Sequence, residues 1–341
     1  MISSDRPFTT VPAVVAIPVK NEAERIVDCL FALAAQDPAP GIVLLVNDTT
    51  DATIAIVSEV AESIDMPIAT IQHDFGLKAG SAGVARHLAM DHADRLAPPD
   101  APLLCTDADG RVARDWLACN LAHLRQGADA VFGRAVIDPV EAARIPPGLH
   151  EADRLECAYA ASLDEIAHWI DPDPSDPWPR HVEHSGASIA VSRCLFHREG
   201  GIPPIALGED RAFAAALQRV DARIRHPMEV TVEVSGRILG RALGGMADTI
   251  RRRLVAPDPF LDDALEPVAA RITRLWRRRA LRIACAINQM PFGAARAIEE
   301  ARHPLQRMAV CDLPAQMDAA ESELNRLREP VTLVGAGAAL V

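Results

Sequence analysis

Two aspartates, Asp107 and Asp109, follow directly on the apolar run Leu103-Leu104-Cys105-Thr106. In extended backbone, residues two apart point to the same face, so the two carboxylates converge just past a buried strand. A pair of hard oxygen donors suits Mg²⁺ or Mn²⁺. The competing reading is an acidic turn, Asp-Ala-Asp-Gly, with solvated side chains. A second acidic pair, Glu209-Asp210, follows Gly208 and opens a helix. Acids there either complement the helix dipole or supply a base that takes a proton from a hydroxyl. Lys78 and Gly80, within Gly76-Leu-Lys-Ala-Gly-Ser-Ala-Gly83, precede a helix, where glycine permits close backbone approach and lysine can meet phosphate or ribose. Their spacing fits neither a P-loop nor a dinucleotide fingerprint. His181, His184 and His226 are candidates for a further metal ligand, against the alternative of satisfied or surface histidines.

Two other readings of the aspartates fail or weaken on details. A calcium loop needs an oxygen ligand at its fifth position and Glu at its twelfth, where this chain has Arg111 and Ala118. An aspartyl-nucleophile phosphatase often shows Asp-x-Asp-Gly-Thr after a strand; Arg111 stands in place of the Thr, behind three complete strand–helix units. The phosphatase remains the alternative enzyme, and a non-catalytic nucleotide-sugar binding protein the alternative of another class.

These residues sit on an alternation of apolar strand, polar turn and helix. Strands are expected at 13–18, 42–46, 68–71 and 103–106, with helices between them. Asn21 is placed to cap the first helix and Glu24 to complete its capping box, and a second helix begins near Asp51. Continuous apolar strands alternating with helices predict a parallel sheet covered on both faces. Ligands of such sheets bind at the carboxyl ends of the strands, where both Asn47-Asp48 and Asp107-Ala-Asp109 fall. Further on, 130–132, 187–191 and 230–234 read as strands, 150–169 and 209–218 as helices. The proline-rich Asp171-Pro-Asp-Pro-Ser-Asp-Pro-Trp-Pro179 is irregular.

The ordered set Ile17-Pro-Val-Lys-Asn-Glu22, Val46-Asn-Asp48…Asp51-Ala-Thr53, Lys78-Ala-Gly80…Arg86, Thr106-Asp-Ala-Asp109, Ser185-Gly-Ala-Ser188 and Gly208-Glu-Asp210 resembles glycosyltransferase family 2. The resemblance runs over about residues 11–240 and implies an α/β GT-A fold: Rossmann-like, with a mostly parallel central sheet, helices on both faces and a C-terminal helical appendage. The implied activity is transfer of a sugar from a nucleotide-diphosphate donor to a hydroxyl acceptor of unknown identity, with inversion and with Mn²⁺ or Mg²⁺ as cofactor. Pro18, Asn21 and Glu22 are implied beside the nucleotide. Asn47 stands where the family usually has a base-reading Asp, with Asp48 after it. Asp107 and Asp109 match the Asp-x-Asp motif, Asp109 as the more direct metal ligand. Gly186 and Ala187 match the loop facing donor and acceptor. Asp210 matches the catalytic base, with Glu209 its acidic neighbour. A family histidine often completes the metal site, and His226 is the nearest candidate. Arg237, Arg241 and Gly244-Gly245 are alternatives for contacting the diphosphate.

Division of the chain follows: a GT-A domain over 1–250, with a nucleotide-binding half at 11–130 and an acceptor half at 131–250, then a helical region over 251–341. The charge sign reverses there, residues 251–310 carrying twelve Arg against six Asp and Glu, while the whole chain is at −12. That net charge argues against nucleic acid as a partner. Aromatics, at 4%, are too few for an aromatic sugar-binding platform. Seven cysteines with no Cys-x-x-Cys read as reduced, buried thiols. Met1–Thr10 has no signal-peptide pattern, and no run approaches ~20 apolar residues, so a cytoplasmic location is expected. In 268–290, Val268, Ile272, Leu275, Trp276, Ile283 and Ile287 share one helical face and arginines lie mostly elsewhere. That face predicts packing on the catalytic domain or another subunit of a homo-oligomer, or peripheral contact with the inner face of a membrane. The tail after Pro330 is expected to be loose.

Overall fold

The computed structural model describes residues 2–3, 6–76, 81–237, 246–256 and 258–329. Lys78, Gly80, Arg241, Gly244-Gly245 and the tail after Pro330 lie outside them.

The strands are β1 Ile2–Ser3, β2 Val14–Val19, β3 Gly41–Asn47, β4 Ile68–His73, β5 Leu103–Cys105, β6 Arg111–Val112, β7 Ala130–Phe132, β8 Arg134–Ile137, β9 Ile189–Val191, β10 Ile224–Arg225 and β11 Thr231–Val234. The helices are α1 Ile26–Ala34, α2 Thr53–Ser63, α3 Ala82–Leu96, α4 Trp116–Arg125, α5 Pro139–Ala142, α6 Pro147–Ile170, α7 Arg193–Arg198, α8 Glu209–Arg219, α9 Met246–Val255, α10 Val268–Ile287, α11 Phe292–Arg302 and α12 Leu313–Arg328.

Eight strands form the main sheet in the order β1-β4-β3-β2-β5-β9-β7-β10. The stretch β4-β3-β2-β5 is parallel, as expected. Beyond it β9 runs antiparallel to both β5 and β7. Strand alternation divides the buried side chains between two cores: Val15, Ile17, Ile42 and Leu44 pack under α1, α2 and α4, whereas Val14, Ala16, Val43 and Leu45 pack against α3, α7 and α8. All seven residues of β3 are buried, which is why its sequence is a continuous apolar run rather than an alternating one. Truncating one such residue, Leu44→Ala, would cost about 2–5 kcal/mol.

A second, three-stranded sheet, β6-β11-β8, stands over the end of β5. Arg111 ties it together, donating to Glu233 of β11 (2.7 Å) and to Asp138 just beyond β8. This is the role of the residue that breaks the phosphatase pattern.

The helix start expected at Asn21 is displaced. α1 begins at Ile26 with no side-chain cap, because Asn21 is used elsewhere: it adopts φ +52°, and its Oδ1 accepts from the Thr50 N–H at 2.8 Å. Thiol burial is also only partly as expected. Cys29, Cys105 and Cys285 are buried, but Cys157, Cys194 and Cys311 are exposed, and all seven are free.

Helix α6 shares a third core with the C-terminal region: Tyr159, Leu163, Ile166 and Ile170 pack with Val268 and Leu275 of α10 and with Leu313, Ala320 and Leu324 of α12. The amphipathic face of α10 is therefore split. Val268 and Leu275 are buried, while Trp276, Ile283 and Ile287 remain 50%, 52% and 76% exposed. Helix α11 lies on the last turn of α8, where a Cβ at Gly293 would fall 2.1 Å from the Gln218 carbonyl oxygen. Gly293 N–H also donates to Asp221 Oδ1 at 2.6 Å. No helix among the described residues is long and apolar enough to cross a membrane.

Candidate active site

The site forms where β2, β3 and β5 end. Two turns there are cross-tied. Asn21 N–H donates to Thr49 Oγ1 (3.3 Å), Glu22 N–H to Thr53 Oγ1 (2.8 Å) and Ala23 N–H to Asp51 Oδ2 (3.2 Å). These bonds replace helix capping in the first turn, while in the second Asp51 Oδ1 also accepts from the Thr53 N–H at 3.0 Å, at the start of α2. Asn47, buried, donates to Asp48 Oδ2 at 3.2 Å. Asp48, at φ +43°, accepts from the Phe75 N–H at 2.9 Å and faces Lys20 at 3.8 Å. Burial works against its ionised form, but the Phe75 N–H, the Asn47 amide and the Lys20 charge together hold its carboxyl below the usual range.

Arg86 is the centre of the site. It belongs to the face of α3 that also carries Ala85, Ala89, Met90 and Ala93, and it is only 4% exposed. Every guanidinium nitrogen is used: Nε donates to Glu209 Oε1 at 2.9 Å, Nη2 to Asp107 Oδ1 at 3.0 Å, and Nη1 to the Gly186 carbonyl at 2.8 Å and Cys105 Sγ at 3.0 Å. Burial penalises its charge, yet the Asp107 and Glu209 carboxylates outweigh that, and its pKa rises well above the ordinary arginine value. Glycine is required at 186, since a Cβ there would lie 2.5 Å from the Arg86 guanidinium carbon.

Asp210 completes the cluster. Gly208 enters α8 at φ +74°, a left-handed turn that glycine makes without strain. Asp210 then accepts from the Gly186 N–H through Oδ2 (2.9 Å) and from the Arg211 N–H through Oδ1 (2.7 Å). Gly186 is thus held on both sides, its carbonyl by Arg86 and its N–H by Asp210. Buried Ala187 follows it, and Ser188 Oγ accepts from the Trp116 indole at 2.8 Å.

Asp109 meets a different arginine. Arg237 forms a bidentate pair with Glu22 (2.8 and 2.9 Å) and reaches Asp109 Oδ2 at 3.1 Å. Burial and the neighbouring Asp107 charge push the Asp109 carboxyl up to about 6, with Arg237 opposing them. Arg237 is held in turn through Glu141, which accepts from the Gly236 N–H (2.6 Å) and pairs with Arg25 (2.6 Å). Asp109 also borders an acidic cavity of about 310 Å³ shared with Glu24, Asp28, Asp138 and Glu233.

The structure brings together Pro18, Asn21, Glu22, Asn47, Asp48, Asp107, Asp109, Gly186, Ala187, Glu209 and Asp210 around these strand ends and the two arginines. His226 is elsewhere. It follows β10, three strand positions from β5, roughly 14 Å away at about 4.8 Å per position. Its Nδ1 is bonded to Asp176 Oδ2 at 2.8 Å, and its ring stacks on Phe132. His184 and His181 pack edge-on against it at 5.0 and 5.6 Å between ring centroids. Burial drives both of those imidazoles down to about 3, so they are neutral. The expectation that His226 supplies the third metal ligand is thereby corrected, and among the described residues no three His, Cys, Asp or Glu side chains converge on one metal position.

The role of Arg86 escaped the sequence reading, although a charged residue on an otherwise apolar helix face was the available signal. Arg237 was singled out only as a diphosphate contact. Its partners, Glu22 and Asp109, come from loops far away in sequence and carry no local signature.

The donor set nevertheless suits a hard divalent cation. One oxygen of each aspartate is engaged, Asp107 Oδ1 by Arg86 and Asp109 Oδ2 by Arg237. Among the described residues Asp107 Oδ2 and Asp109 Oδ1 are left, and Mg²⁺-type sites commonly use one or two carboxylates with phosphate oxygens and water for the rest. The raised Asp109 carboxyl marks a local excess of negative charge that a cation would relieve.

No curated protein matches the chain. Among solved structures, TarS 1–349 of S. aureus in complex with UDP-GlcNAc is 16% identical, with 79% of this chain and 71% of that one covered and a TM-score of 0.47. The mannosyltransferase PcManGT from Pyrobaculum calidifontis, in complex with GDP-Man and Mn²⁺, is 22% identical over 95% of this chain and 84% of that one, with a TM-score of 0.49. Residues 14–179 match the family model described as glycosyl transferase family 2, a segment that runs from β2 past both aspartates to the end of the proline-rich stretch. That segment is a glycosyl transferase family 2 domain, and the protein that carries it is a glycosyltransferase.

Proposed function

We propose that this glycosyltransferase moves a sugar from a nucleoside-diphosphate donor to a hydroxyl acceptor with inversion at the anomeric carbon, and that it depends on Mn²⁺ or Mg²⁺. The observation that carries the reading is the Arg86 bridge. One buried guanidinium binds Asp107 from the donor side, Glu209 next to Asp210, and the Gly186 loop between them. In this reading the bridge keeps the carboxylates proposed to ligate the metal close to the one proposed to accept the proton.

The nucleotide lies against the cross-tied turns bearing Pro18, Asn21, Glu22, Asn47 and Asp48. Asp107 and Asp109 would hold the cation, which when bound would supply positive charge to the departing diphosphate. Arg237, 20% exposed at its side chain beside Glu22 and Asp109, adds positive charge on the same side. Asp210 accepts the proton of the acceptor hydroxyl while the acceptor oxygen bonds to the anomeric carbon. The bond from that carbon to the phosphate oxygen breaks, and its electron pair leaves on the nucleoside diphosphate. The Gly186 and Arg211 N–H groups fix the Asp210 carboxylate, so it faces the acceptor without first reorganising.

Thermal denaturation with nucleoside diphosphates and their sugars, with and without Mn²⁺, tests this. A ligand at a hundredfold excess over its Kd adds ~2.7 kcal/mol, a shift of several degrees. The expected result is one base whose diphosphate stabilises the protein only with metal. Absence of stabilisation by every nucleotide under both conditions would sink the donor assignment, and equal stabilisation without metal would sink the metal dependence.

A further inference from the structure

A cavity of about 550 Å³ lies between α10 and α11, away from the crevice just described. Its walls carry Arg274, Arg277, Arg278, Arg296 and Arg302. Three glutamates also line it, and each is already engaged: Glu266 by Arg274 at 3.0 Å, Glu300 by Arg296 at 3.3 Å, and Glu299 by His303 at 3.3 Å. Arg278 must share Asp171 with Arg282. Arg277 and Arg302 make no hydrogen bond or ion pair among the described residues. Arg296 Nε is buried and makes no aligned hydrogen bond, only the ion-pair contact with Glu300 just given, while its Nη2 donates to Gln218. Burial and the charges of Arg278 and Arg282 outweigh Glu300 and lower the Arg296 pKa, a sign that positive charge is crowded here. Five arginines against three glutamates leave the lining at +2 with histidine neutral.

We propose that this cavity is a binding site for a phosphate group, carried as a monoester or diphosphate, distinct from the donor site. A phosphate monoester at neutral pH carries about −1.5 to −2 charge, which matches the excess, and guanidinium forks pair with phosphate in bidentate geometry. A singly charged carboxylate would leave the lining positive. The volume accommodates a phosphorylated sugar or a headgroup. The exposed Trp276, Ile283 and Ile287 lie on the neighbouring face of the same helix, so the phosphate has two candidate sources, a soluble phosphorylated molecule or an anionic lipid.

The test is calorimetric titration of the full chain with inorganic phosphate in chelator-treated buffer, with Arg277→Ala/Arg302→Ala as the variant. Both residues are exposed and unpaired, so the variant should melt like the wild type. Wild-type protein should bind one phosphate saturably, and the double variant should bind about tenfold or more weakly, since hydrogen bonds to charged groups are each worth on the order of tenfold. Asp107→Asn should leave the titration unchanged, separating this site from the donor crevice. Absence of saturable binding, or equal affinity in the double variant, would overturn the proposal. Co-sedimentation with phosphatidylcholine vesicles containing phosphatidic acid then distinguishes the sources. Sedimentation that phosphate competes away and the double variant lacks assigns a lipid headgroup, and phosphate binding without sedimentation assigns a soluble ligand.

Discussion

The active-site crevice and the C-terminal helices use the same ion-pair chemistry in opposite proportions. In the crevice one guanidinium serves two carboxylates: Arg86 holds Asp107 and Glu209, and Arg237 holds Glu22 and Asp109. Among the helices one carboxylate serves two guanidiniums: Asp171 holds Arg278 and Arg282, and Glu266 holds Arg274 and, at 3.8 Å, Arg271. Ionisation follows the local surplus. Asp109 is pushed up to about 6 by burial and Asp107, whereas Arg271 is pushed down to about 10 by burial and Arg278. Deliberate under-neutralisation costs stability in both places. The two proposals follow these opposite surpluses, a cation for the crevice and an anion for the C-terminal cavity.

The largest effect expected from breaking this arrangement is at Asp210. In Asp210→Asn the amide cannot take the acceptor proton, and one orientation sets its NH₂ against the Gly186 N–H. Transfer should fall by about 10²–10⁴-fold, read as kcat in a sugar-transfer assay, while nucleotide binding persists. Next is Arg86→Met, which leaves two carboxylates without their shared partner. It should destabilise the fold by about 3–5 kcal/mol, measured by urea denaturation, and a loss below about 1 kcal/mol would contradict its central place. The mirror-image change, Asp171→Asn, strands Arg278 and Arg282. Their side chains are 20% and 31% exposed, and water takes over part of the lost pairing, so about 1–3 kcal/mol is expected. A larger loss than that of Arg86→Met would reverse the ranking of the two regions.

The smallest effect is in pH dependence. The Asp109 carboxyl lies above its ordinary 3.8, so the folded protein takes up this proton before the unfolded chain does. Without metal, stability should rise as pH falls from about 6 towards 3.8, and metal must compete with that proton. Apparent Mn²⁺ affinity should drop by about tenfold per pH unit below about 6 and level off above it. In Asp109→Asn that slope should vanish. Mn²⁺ titrations that superimpose at pH 5 and pH 7 would remove Asp109 from the metal site.

What was legible in the sequence was local. Asp107-Ala-Asp109 announces itself at the end of an apolar run and Glu209-Asp210 at the start of a helix, the glycine at 186 stood out only through the family resemblance, and the parallel strands follow from the apolar runs. Arg86 and Arg237 were legible only as residues, not as bridges, because their partners lie as far as 123 and 215 positions away. His226 misled for the converse reason: its place in the chain suited a ligand, but strand order put it beside Phe132 and Asp176. Asn21 looked like a cap, and its tertiary bond to the second turn took precedence over the local helix terminus.

The contact of Gly293 with the end of α8 gives the C-terminal region a mechanical bearing on the reaction. That helix of eleven residues carries Asp210 at its front and is pressed from behind by α11, with no room there for even a methyl group. Helix α11 thus acts as a backstop: removing it would let α8 and the Asp210 at its start drift, and a bulkier side chain at 293 would push that helix forward without touching the crevice itself.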